Sequence, residues 1–471
     1  MQTSRRLFVG RERAVNQIVQ GVLATPPQSF SLVGPKLVGK SQLVKYLADE
    51  QGPLLSEEAA TQRPRAYQDG SQVLVTWIDC DWQDAQANLI GWIYERLQEQ
   101  VRGEGGLPIK WQRVEAQPSD SRRIWQLARD LKEQGIRLVL LLDNFDRVFE
   151  SQLISADAMD ELRPLTFEMA LLVATEQPLH DLDRELAASP LFNVMTQLFL
   201  GLLEPNVARE WVLSYADEFP IVAELADDLV TLTGQHPFLL RRLGEILIEV
   251  RQMLPPDAGD GALLLPLLRL RLAEHGRLLF ETIWRRLQNL PARLQPAAVQ
   301  ALMRRLARGG LPLADVSMEQ TSALNWLINQ AVVTCCNTPA QSGYQLFTPL
   351  FTEFLVRRLE QSERTAAEET AAAAHAAAPA AVSGGSSGQG VDLDQFTKIE
   401  ASLLRYFQAH QYETVSTEQL LTEVWKRPDA TNRRVQEAIR RLRLHLEAAD
   451  PPIGAIENDR GRGYRFTPAG K

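Results

Sequence analysis

The sequence predicts an α/β domain built on a parallel sheet, followed by helical segments and a small separate domain at the C-terminus. Short apolar runs alternate with amphipathic stretches in the first part of the chain, a pattern typical of parallel sheets covered by helices. The run 137–143 is almost entirely aliphatic up to its final Asp, as in a strand that is buried on both faces. The segment 365–390 is rich in Ala, Gly and Ser and separates the long front part from the C-terminal part.

Four strands are predicted in the front part from their apolar and β-branched residues. They cover 29–34, 73–79, 137–143 and 169–175, and helices are predicted over 40–50 and 88–101. After Leu203 the sequence shows amphipathic helical patterns without strands.

A glycine-rich segment lies between the first predicted strand and the first predicted helix. It reads Gly34-Pro35-Lys36-Leu37-Val38-Gly39-Lys40-Ser41 and fits the phosphate-loop pattern G-x-x-x-x-G-K-[ST]. Gly34 and Gly39 let the backbone curl so that its N–H groups face phosphates. Lys40 supplies positive charge to the terminal phosphates, and the Ser41 hydroxyl is placed to bind Mg²⁺. We therefore expect a purine nucleoside triphosphate, ATP, with Mg²⁺ as cofactors.

The aliphatic strand 137–143 ends in Asp143. An acid at the carboxyl end of a parallel strand lies at the edge where ligands bind, so Asp143 is expected to hold the Mg²⁺ directly or through water. Hydrolytic proteins of this broad class usually follow this acid with Glu or Asp, but here Asn144 follows. Asn can position a water molecule but cannot take its proton. Either Asp146 substitutes for the missing acid, or hydrolysis is slow.

Further motifs resemble the STAND and archaeal-type AAA+ ATPases. Phe8-Val9-Gly10-Arg11-Glu12 resembles a motif that lies near adenine in those families, which implies a nucleotide contact for Arg11. Thr175 stands where they carry a polar sensor of the γ-phosphate. Thr233-Gly234-Gln235-His236-Pro237 resembles the G-x-P motif of their helical lid and implies a role for Pro237, although Gln235 replaces the usual second glycine. Residues 344–351 resemble the end of the winged helix that follows the lid.

The resemblance implies the order of the domains. A P-loop NTPase core is expected over 1–203, a helical lid over 204–270 and a first winged-helix domain over 271–362. The composition separately predicts a flexible linker over 363–392, and the residues that follow predict a C-terminal winged-helix domain over 393–471. The resemblance also implies self-association in the ATP state, so we expect a homo-oligomer.

The C-terminal domain combines an amphipathic helix with a glycine-rich hairpin. Val435, Ile439, Leu442 and Leu446 form one apolar stripe, and a hairpin is predicted around the tip 459–462. These features resemble the DNA-binding output domain of OmpR/PhoB-type response regulators. That likeness and the basic side chains of helix and tip predict contacts with double-stranded DNA. The expected DNA-binding residues are Arg434, Arg440, Arg441, Arg443, Arg460 and Arg462.

The charge is distributed unevenly along the chain. The net charge is −9, but residues 396–471 hold 13 Lys and Arg against 10 Asp and Glu, a balance of +3 that leaves −12 for the rest. This balance argues against nucleic acid as a partner of the whole surface and favours the C-terminal domain as the DNA-binding part. Three cysteines, two of them adjacent, and the lack of a long apolar run lead us to expect a cytoplasmic protein without a membrane partner.

The sequence therefore predicts a STAND-type signalling switch in which ATP controls DNA binding, acting as a transcription regulator. Two alternatives share the same parts: an initiator or loader similar to origin-recognition ATPases, and a defence or mobile-element ATPase that senses nucleic acid. The upstream signal, the DNA sequence and the size of the oligomer stay open.

Overall fold

The computed structural model describes residues 10–67, 72–82, 88–103, 107–150, 156–182, 190–253, 261–338, 341–377, 398–424, 435, 438–443, 446, 454–459 and 463–468. The chain divides into two compact units, Met1–Ala373 and Ala374–Lys471. In the described part of the chain, no helix is both long enough and apolar enough to cross a lipid bilayer.

The first unit is built on a parallel sheet of five strands in the order β2-β3-β4-β1-β5. Its strands are β1 (Ser29–Val33), β2 (Val73–Asp79), β3 (Arg137–Asp143), β4 (Ala170–Thr175) and β5 (Met195–Phe199). All seven residues of β3 are buried, as expected for a central strand covered on both faces. The predicted α/β core with a parallel sheet is therefore confirmed.

One helix of the core precedes β1, and the others lie in the connections between these strands. They are α1 (Glu12–Val22), α2 (Lys40–Ala48), α3 (Leu89–Gly103), α4 (Trp111–Glu115), α5 (Asp120–Glu133), α6 (Asp146–Glu150), α7 (Ala156–Leu162), α8 (Leu179–Leu182) and α9 (Pro190–Asn193). Two separate apolar clusters form, one containing Ile18 and Leu43 and the other containing Leu97 and Leu127. Helices thus cover both faces of the central part of the sheet and leave the strand ends for polar groups.

Strand β5 was not predicted. Its sequence, Met-Thr-Gln-Leu-Phe, is half polar, and three of its five side chains are exposed. It pairs only with β1 in the described sheet and forms its edge, where half-polar strands are tolerated because one side faces solvent. A composition of this kind gives a weak strand signal.

Five helices follow the sheet: α10 (Pro205–Leu213), α11 (Ile221–Glu224), α12 (Ala226–Thr233), α13 (Pro237–Met253) and α14 (Gly261–His275). Then come α15 (Arg277–Gln288), α16 (Pro296–Ala307), β6 (Leu311–Pro312), α17 (Met318–Asn329), β7 (Val333–Thr338) and β8 (Gln341–Leu346). The last six elements form a winged helix with the antiparallel strand order β6-β8-β7. Its apolar residues and those of the lid helices form one continuous core.

The expectation that no strands follow Leu203 was wrong, because β6, β7 and β8 lie in that region. The strand β7 reads Val-Thr-Cys-Cys-Asn-Thr, and β8 contains Gln, Ser and Gly. Neither segment has the apolar run on which the prediction relied. Pairing within the winged helix, rather than local composition, makes these segments strands.

A long helix, α18, runs from Pro349 to Ala377. Its first part is fixed by the buried residues Leu350, Phe351 and Leu355, which belong to the shared core of lid and winged helix. The helix occupies the beginning of the segment 363–392 that was predicted as a linker. The rest of that segment, 378–392, lies outside the described residues.

The second unit contains α19 (Lys398–Ala409), β9 (Thr414–Val415), α20 (Thr417–Glu423), β10 (Gly454–Asp459) and β11 (Gly463–Pro468), with the strand order β10-β11-β9. Ser416 caps α20 through a reciprocal pair of hydrogen bonds with Gln419. Val435, Ile439, Leu442 and Leu446 are helical and buried, as the apolar stripe predicts. They share a core with Phe407 and Phe466, and the unit is a winged helix.

Candidate nucleotide-binding site

The phosphate loop joins the end of β1 to the start of α2 and has an unusual backbone. Leu37 and Gly39 adopt positive φ angles of 66° and 99°, which turn successive N–H groups to one side of the loop. A Cβ atom on Gly34 would lie 2.5 Å from the carbonyl oxygen of Leu200, so only glycine fits there. The loop therefore has the close turn that phosphate binding requires.

Lys40 is the first residue of α2 and is 7% exposed. Its Nζ donates hydrogen bonds to the carbonyl oxygens of Gly34, at 2.7 Å, and Pro35, at 3.1 Å. Burial lowers the pKa of Lys40, and the negative charges of Glu176, Asp146 and Asp143 oppose that effect. The Lys40 ammonium group thus lies beside the phosphate loop, where an anion bound by the loop could contact both the ammonium group and the backbone N–H groups.

Asp143 ends β3 and is 1% exposed. The Ser41 hydroxyl donates a hydrogen bond to its carboxylate, and the backbone N–H of Asn144 donates another at 3.0 Å. Burial raises the pKa of Asp143, and these two hydrogen bonds oppose the rise. A hydroxyl and a carboxylate side by side are the hard oxygen ligands that Mg²⁺ prefers, so the residues present fit this ion.

Asn144 occupies the position of the missing acid, and Asp146 is the residue that could substitute for it. Asn144 adopts φ 51° and its Nδ2 donates to Oδ1 of Asp79 at 2.9 Å. Asp146 begins α6 and is 7% exposed. Burial and, to a smaller extent, the negative charge of Glu176 raise the pKa of Asp146 to about 6. Roles for Asn144 and Asp146 in hydrolysis stay predictions.

Thr175 ends β4 and is fully buried. Its hydroxyl donates to the carbonyl oxygen of Gln177 at 2.7 Å, and its own carbonyl accepts a hydrogen bond from Gly34 at 3.1 Å. The side chain thus supports the turn after β4, and its role as a phosphate sensor stays a prediction. Glu176, which the sequence analysis missed, instead forms an ion pair of 3.3 Å with Lys36. The only sequence feature that could have indicated Glu176 as a site residue is its position directly after an apolar strand.

Arg11 lies just before α1 and joins the phosphate loop to the segment that follows β5. Its guanidinium donates to the carbonyl oxygens of Gly201 and Leu202, after β5, and of Val38 in the loop. Burial lowers the pKa of Arg11 to about 10. These contacts show that Arg11 holds the two segments together, and its contact with nucleotide stays a prediction. Phe8 and Val9 lie outside the described residues.

The lid motif has a strained turn. Gly234 and Gln235 have φ angles of 58° and 59°, so Gln235 occupies a conformation that glycine adopts more easily. His236 is buried against Phe347 with ring centroids 5.6 Å apart, and burial lowers its pKa to about 3. This histidine is therefore neutral and part of the core. Pro237 begins α13, and its contact with nucleotide stays a prediction.

A cavity of about 220 Å³ opens beside the phosphate loop. It lies between the loop, the lid and the first winged helix, and its lining includes Lys36, Glu176, His236, Arg286 and Trp326. No local sequence pattern predicts this arrangement, because the walls of the cavity come from segments far apart in the chain.

Arg286 reaches this cavity from α15 of the first winged helix. Its Nη2 atom is buried and has no hydrogen-bond partner among the described residues. Burial lowers the pKa of Arg286, and the charges of Glu176, Asp146 and Asp181 oppose this effect. A partly buried guanidinium with an unused donor is suited to an anionic group.

A second contact joins the same winged helix to the core. Arg293 forms a two-pronged ion pair with Asp181, which lies in α8 shortly after β4, at distances of 2.8 to 3.2 Å. The Asp181 side chain is 6% exposed. The first winged helix is thus held against the polar edge of the sheet by its charged residues.

In the C-terminal unit, three of the six predicted DNA-binding residues can be located. Arg440 and Arg441 are exposed, and the Arg443 guanidinium lies 5.9 Å from the ring centroid of Tyr464. The other three predicted residues lie outside the described residues: Arg434, Arg460 and Arg462. Arg440 and Arg441 face solvent on the side of the helix opposite its buried stripe.

Residues 393–466 match the family model described as transcriptional regulatory protein, C terminal. No curated protein matches the chain. Among solved structures, the ORC2 protein of Aeropyrum pernix in ADPNP–ADP complexes is 14% identical, with coverage of 77% of this chain and 99% of that one and a TM-score of 0.44. A Walker-type ATPase of Pyrococcus abyssi is 17% identical, with coverage of 74% and 96% and a TM-score of 0.45. The ORC1 protein of Aeropyrum pernix in complex with DNA is 15% identical, with coverage of 77% and 97% and a TM-score of 0.34.

The chain therefore combines a P-loop α/β core with a C-terminal winged helix of the kind found at the end of transcriptional regulatory proteins.

Proposed function

We propose that the chain is an ATP-dependent switch of the STAND type, in which nucleotide at the phosphate loop controls DNA binding by the C-terminal winged helix, and that it regulates transcription. Support for nucleotide binding comes from the loop Gly34–Ser41 and from the paired oxygens of Ser41 and Asp143. Support for DNA as the partner comes from the family match of residues 393–466.

The position of Arg286 carries the proposal of a switch. This residue of the first winged helix lines the same cavity as Lys36 and Glu176, and its Nη2 has no partner among the described residues. The phosphates of ATP would compete with Glu176 for the positive charges of Lys36 and Arg286. The electrostatic contacts of the first winged helix then differ between the free and the ATP-bound protein, which is what a ligand must achieve to shift a conformational equilibrium.

The helix α18 offers a route for this change. It begins inside the core of the lid and first winged helix, through Leu350, Phe351 and Leu355, and continues to Ala377. A shift of the first winged helix would therefore also move this helix, which precedes the DNA-binding domain in the chain.

A mobility-shift assay on duplex DNA with repeated sites tests the proposal. We expect a non-hydrolysable ATP analogue to tighten DNA binding by the parent chain and to have no effect on Lys40→Ala, which lacks the charge partner of the phosphates. Lys45→Ala serves as the matched control, because Lys45 is exposed on the same helix. DNA affinity that is the same with and without the analogue would contradict a nucleotide switch.

The DNA surface is tested separately. Arg441→Ala should weaken binding, since a phosphate or base contact is lost, whereas Arg405→Ala, exposed on α19 of the same unit, should not. Selection of bound genomic fragments distinguishes the regulator from its alternatives. Promoter fragments support the proposal, and replication origins or transposon ends would contradict it.

A further inference from the structure

A hydrogen bond joins the ends of two neighbouring strands at the polar edge of the sheet. Nδ2 of Asn144 donates to Oδ1 of Asp79 at 2.9 Å. Asp79 is the last residue of β2 and pairs in register with Asp143, the last residue of β3. Asn144 therefore follows the expected metal-binding acid directly and has a second carboxylate beside it.

The chemistry of the pair fixes the orientation of the amide. A carboxylate only accepts hydrogen bonds, so the NH₂ group of Asn144 must face Asp79 and its carbonyl oxygen Oδ1 must point elsewhere. The backbone N–H of Asp81 also donates to Oδ1 of Asp79, at 3.1 Å, and this bond holds the carboxylate in place. Amide orientation is often ambiguous, but a carboxylate partner leaves one choice.

The backbone favours Asn at this position over a longer acid. Asn144 has φ 51°, in the left-handed region that Asn and Asp enter several times more often than other non-glycine residues. A glutamate here would be strained and would also face the carboxylate of Asp79. In this hydrogen-bonded pair, the acid is therefore the last residue of β2, and the amide directly follows β3.

We propose that Asp79 is a positioning residue, which aims the carbonyl oxygen of Asn144 at the water that attacks the γ-phosphate. This inference rests on the proposed ATP-binding function. The water donates a hydrogen bond to Oδ1 of Asn144, and its oxygen forms a bond to the γ-phosphorus. The bond from the γ-phosphorus to the β–γ bridging oxygen breaks, and the water proton passes to an oxygen of the γ-phosphate. The products are ADP and inorganic phosphate.

Three variants test the inference by exchanging the acid and the amide: Asp79→Asn, Asn144→Asp and the double variant. In Asp79→Asn the partner can donate as well as accept, so the Asn144 amide is free to turn. We expect kcat to fall about 10- to 100-fold, the range that misplaced reacting groups cause, with affinity for a fluorescent ATP analogue unchanged. Asp81→Asn is the matched control, since that exposed side chain pairs with Arg147 and the substitution keeps the backbone N–H that donates to Asp79.

Thermal unfolding gives a readout that is independent of turnover. Asn144→Asp places two carboxylates in contact and should lower the melting temperature. The double variant restores the hydrogen bond with its polarity reversed and should recover both the melting temperature and turnover. Three results would overturn the positioning role. They are an unchanged kcat in Asp79→Asn, a double variant that does not recover turnover and melting temperature, and turnover by the parent protein that is no higher than that of Lys40→Ala. If the parent protein does not bind the fluorescent ATP analogue, the proposed function itself is overturned.

Discussion

Replacement of Asp146 by Asn should stabilise the protein, and the gain should depend on pH. Asp146 is 7% exposed, and burial, with help from Glu176, raises its pKa from an ordinary value of 3.8 to about 6. The folded protein thus holds this proton more tightly than the unfolded chain does. Stability is therefore lost as the pH rises from about 4 to about 6, and the loss persists above that range.

The expected size follows from the two pKa values. Each pKa unit corresponds to about 1.4 kcal/mol, so the ionised carboxylate costs up to about 3 kcal/mol at pH 8 and about half of that at pH 5. Asn has nearly the shape of protonated Asp and carries no charge at either pH. Asp146→Asn should therefore gain about twice as much stability at pH 8 as at pH 5.

Urea unfolding followed by circular dichroism measures this gain as a shift in the midpoint at constant slope. Asp217→Asn is the control, because Asp217 is exposed on the lid and its replacement should change stability by no more than about 0.5 kcal/mol. An equal gain at both pH values, or a loss at pH 8, would refute the reasoning from burial. If Asp146 also serves hydrolysis, the stabilised variant should lose ATP turnover, because gains in stability at functional sites often come at the cost of activity.

Three other predictions concern binding, assembly and packing. Lys40→Ala should lose most of its affinity for a fluorescent ATP analogue in fluorescence titrations while Lys45→Ala keeps it, and equal affinity in both would remove the phosphate-loop assignment. The mass of the parent by light scattering should rise with a non-hydrolysable analogue, because ligands that bridge subunits stabilise the assembly; an unchanged mass at micromolar concentrations argues against assembly. Gly10→Ala should lower the melting temperature, since Gly10 has φ 86° and an added Cβ would lie 2.1 Å from Cγ1 of Val207; a parental melting temperature would show that the contact yields easily.

The sequence was sufficient for the parts of the site that are local. Gly34, Lys40 and Ser41 lie in one short segment, and the run that ends in Asp143 has the composition expected of a buried strand. The same holds for the C-terminal stripe that includes Val435 and Leu446, whose spacing is the period of a helix.

The missed residues meet the site through tertiary contacts. Arg286 approaches Glu176 from 110 positions further along the chain, and Asp79 meets Asn144 across 65 positions. No spacing rule relates such pairs, because their proximity depends on the strand order and on the docking of a separate domain. Asn144 itself was noticed as a departure from the usual acid, but its partner could be found only once β2 and β3 were known to be neighbours.

The charges at the polar edge of the sheet explain why nucleotide and winged helix should be coupled. The charged residues at this edge include four carboxylates, Asp79, Asp143, Asp146 and Glu176, and three cations, Lys36, Lys40 and Arg286. Burial raises the pKa of Asp143 and Asp146 and lowers that of Lys40 and Arg286. Burial thus disfavours the charged form of both the carboxylates and the cations. A bound Mg²⁺ would neutralise Asp143, and phosphates would neutralise Lys40. The third cation, Arg286, belongs to the first winged helix. A phosphate that attracts Arg286 must therefore compete with the contacts between the first winged helix and the core, such as the attraction between Arg286 and Glu176.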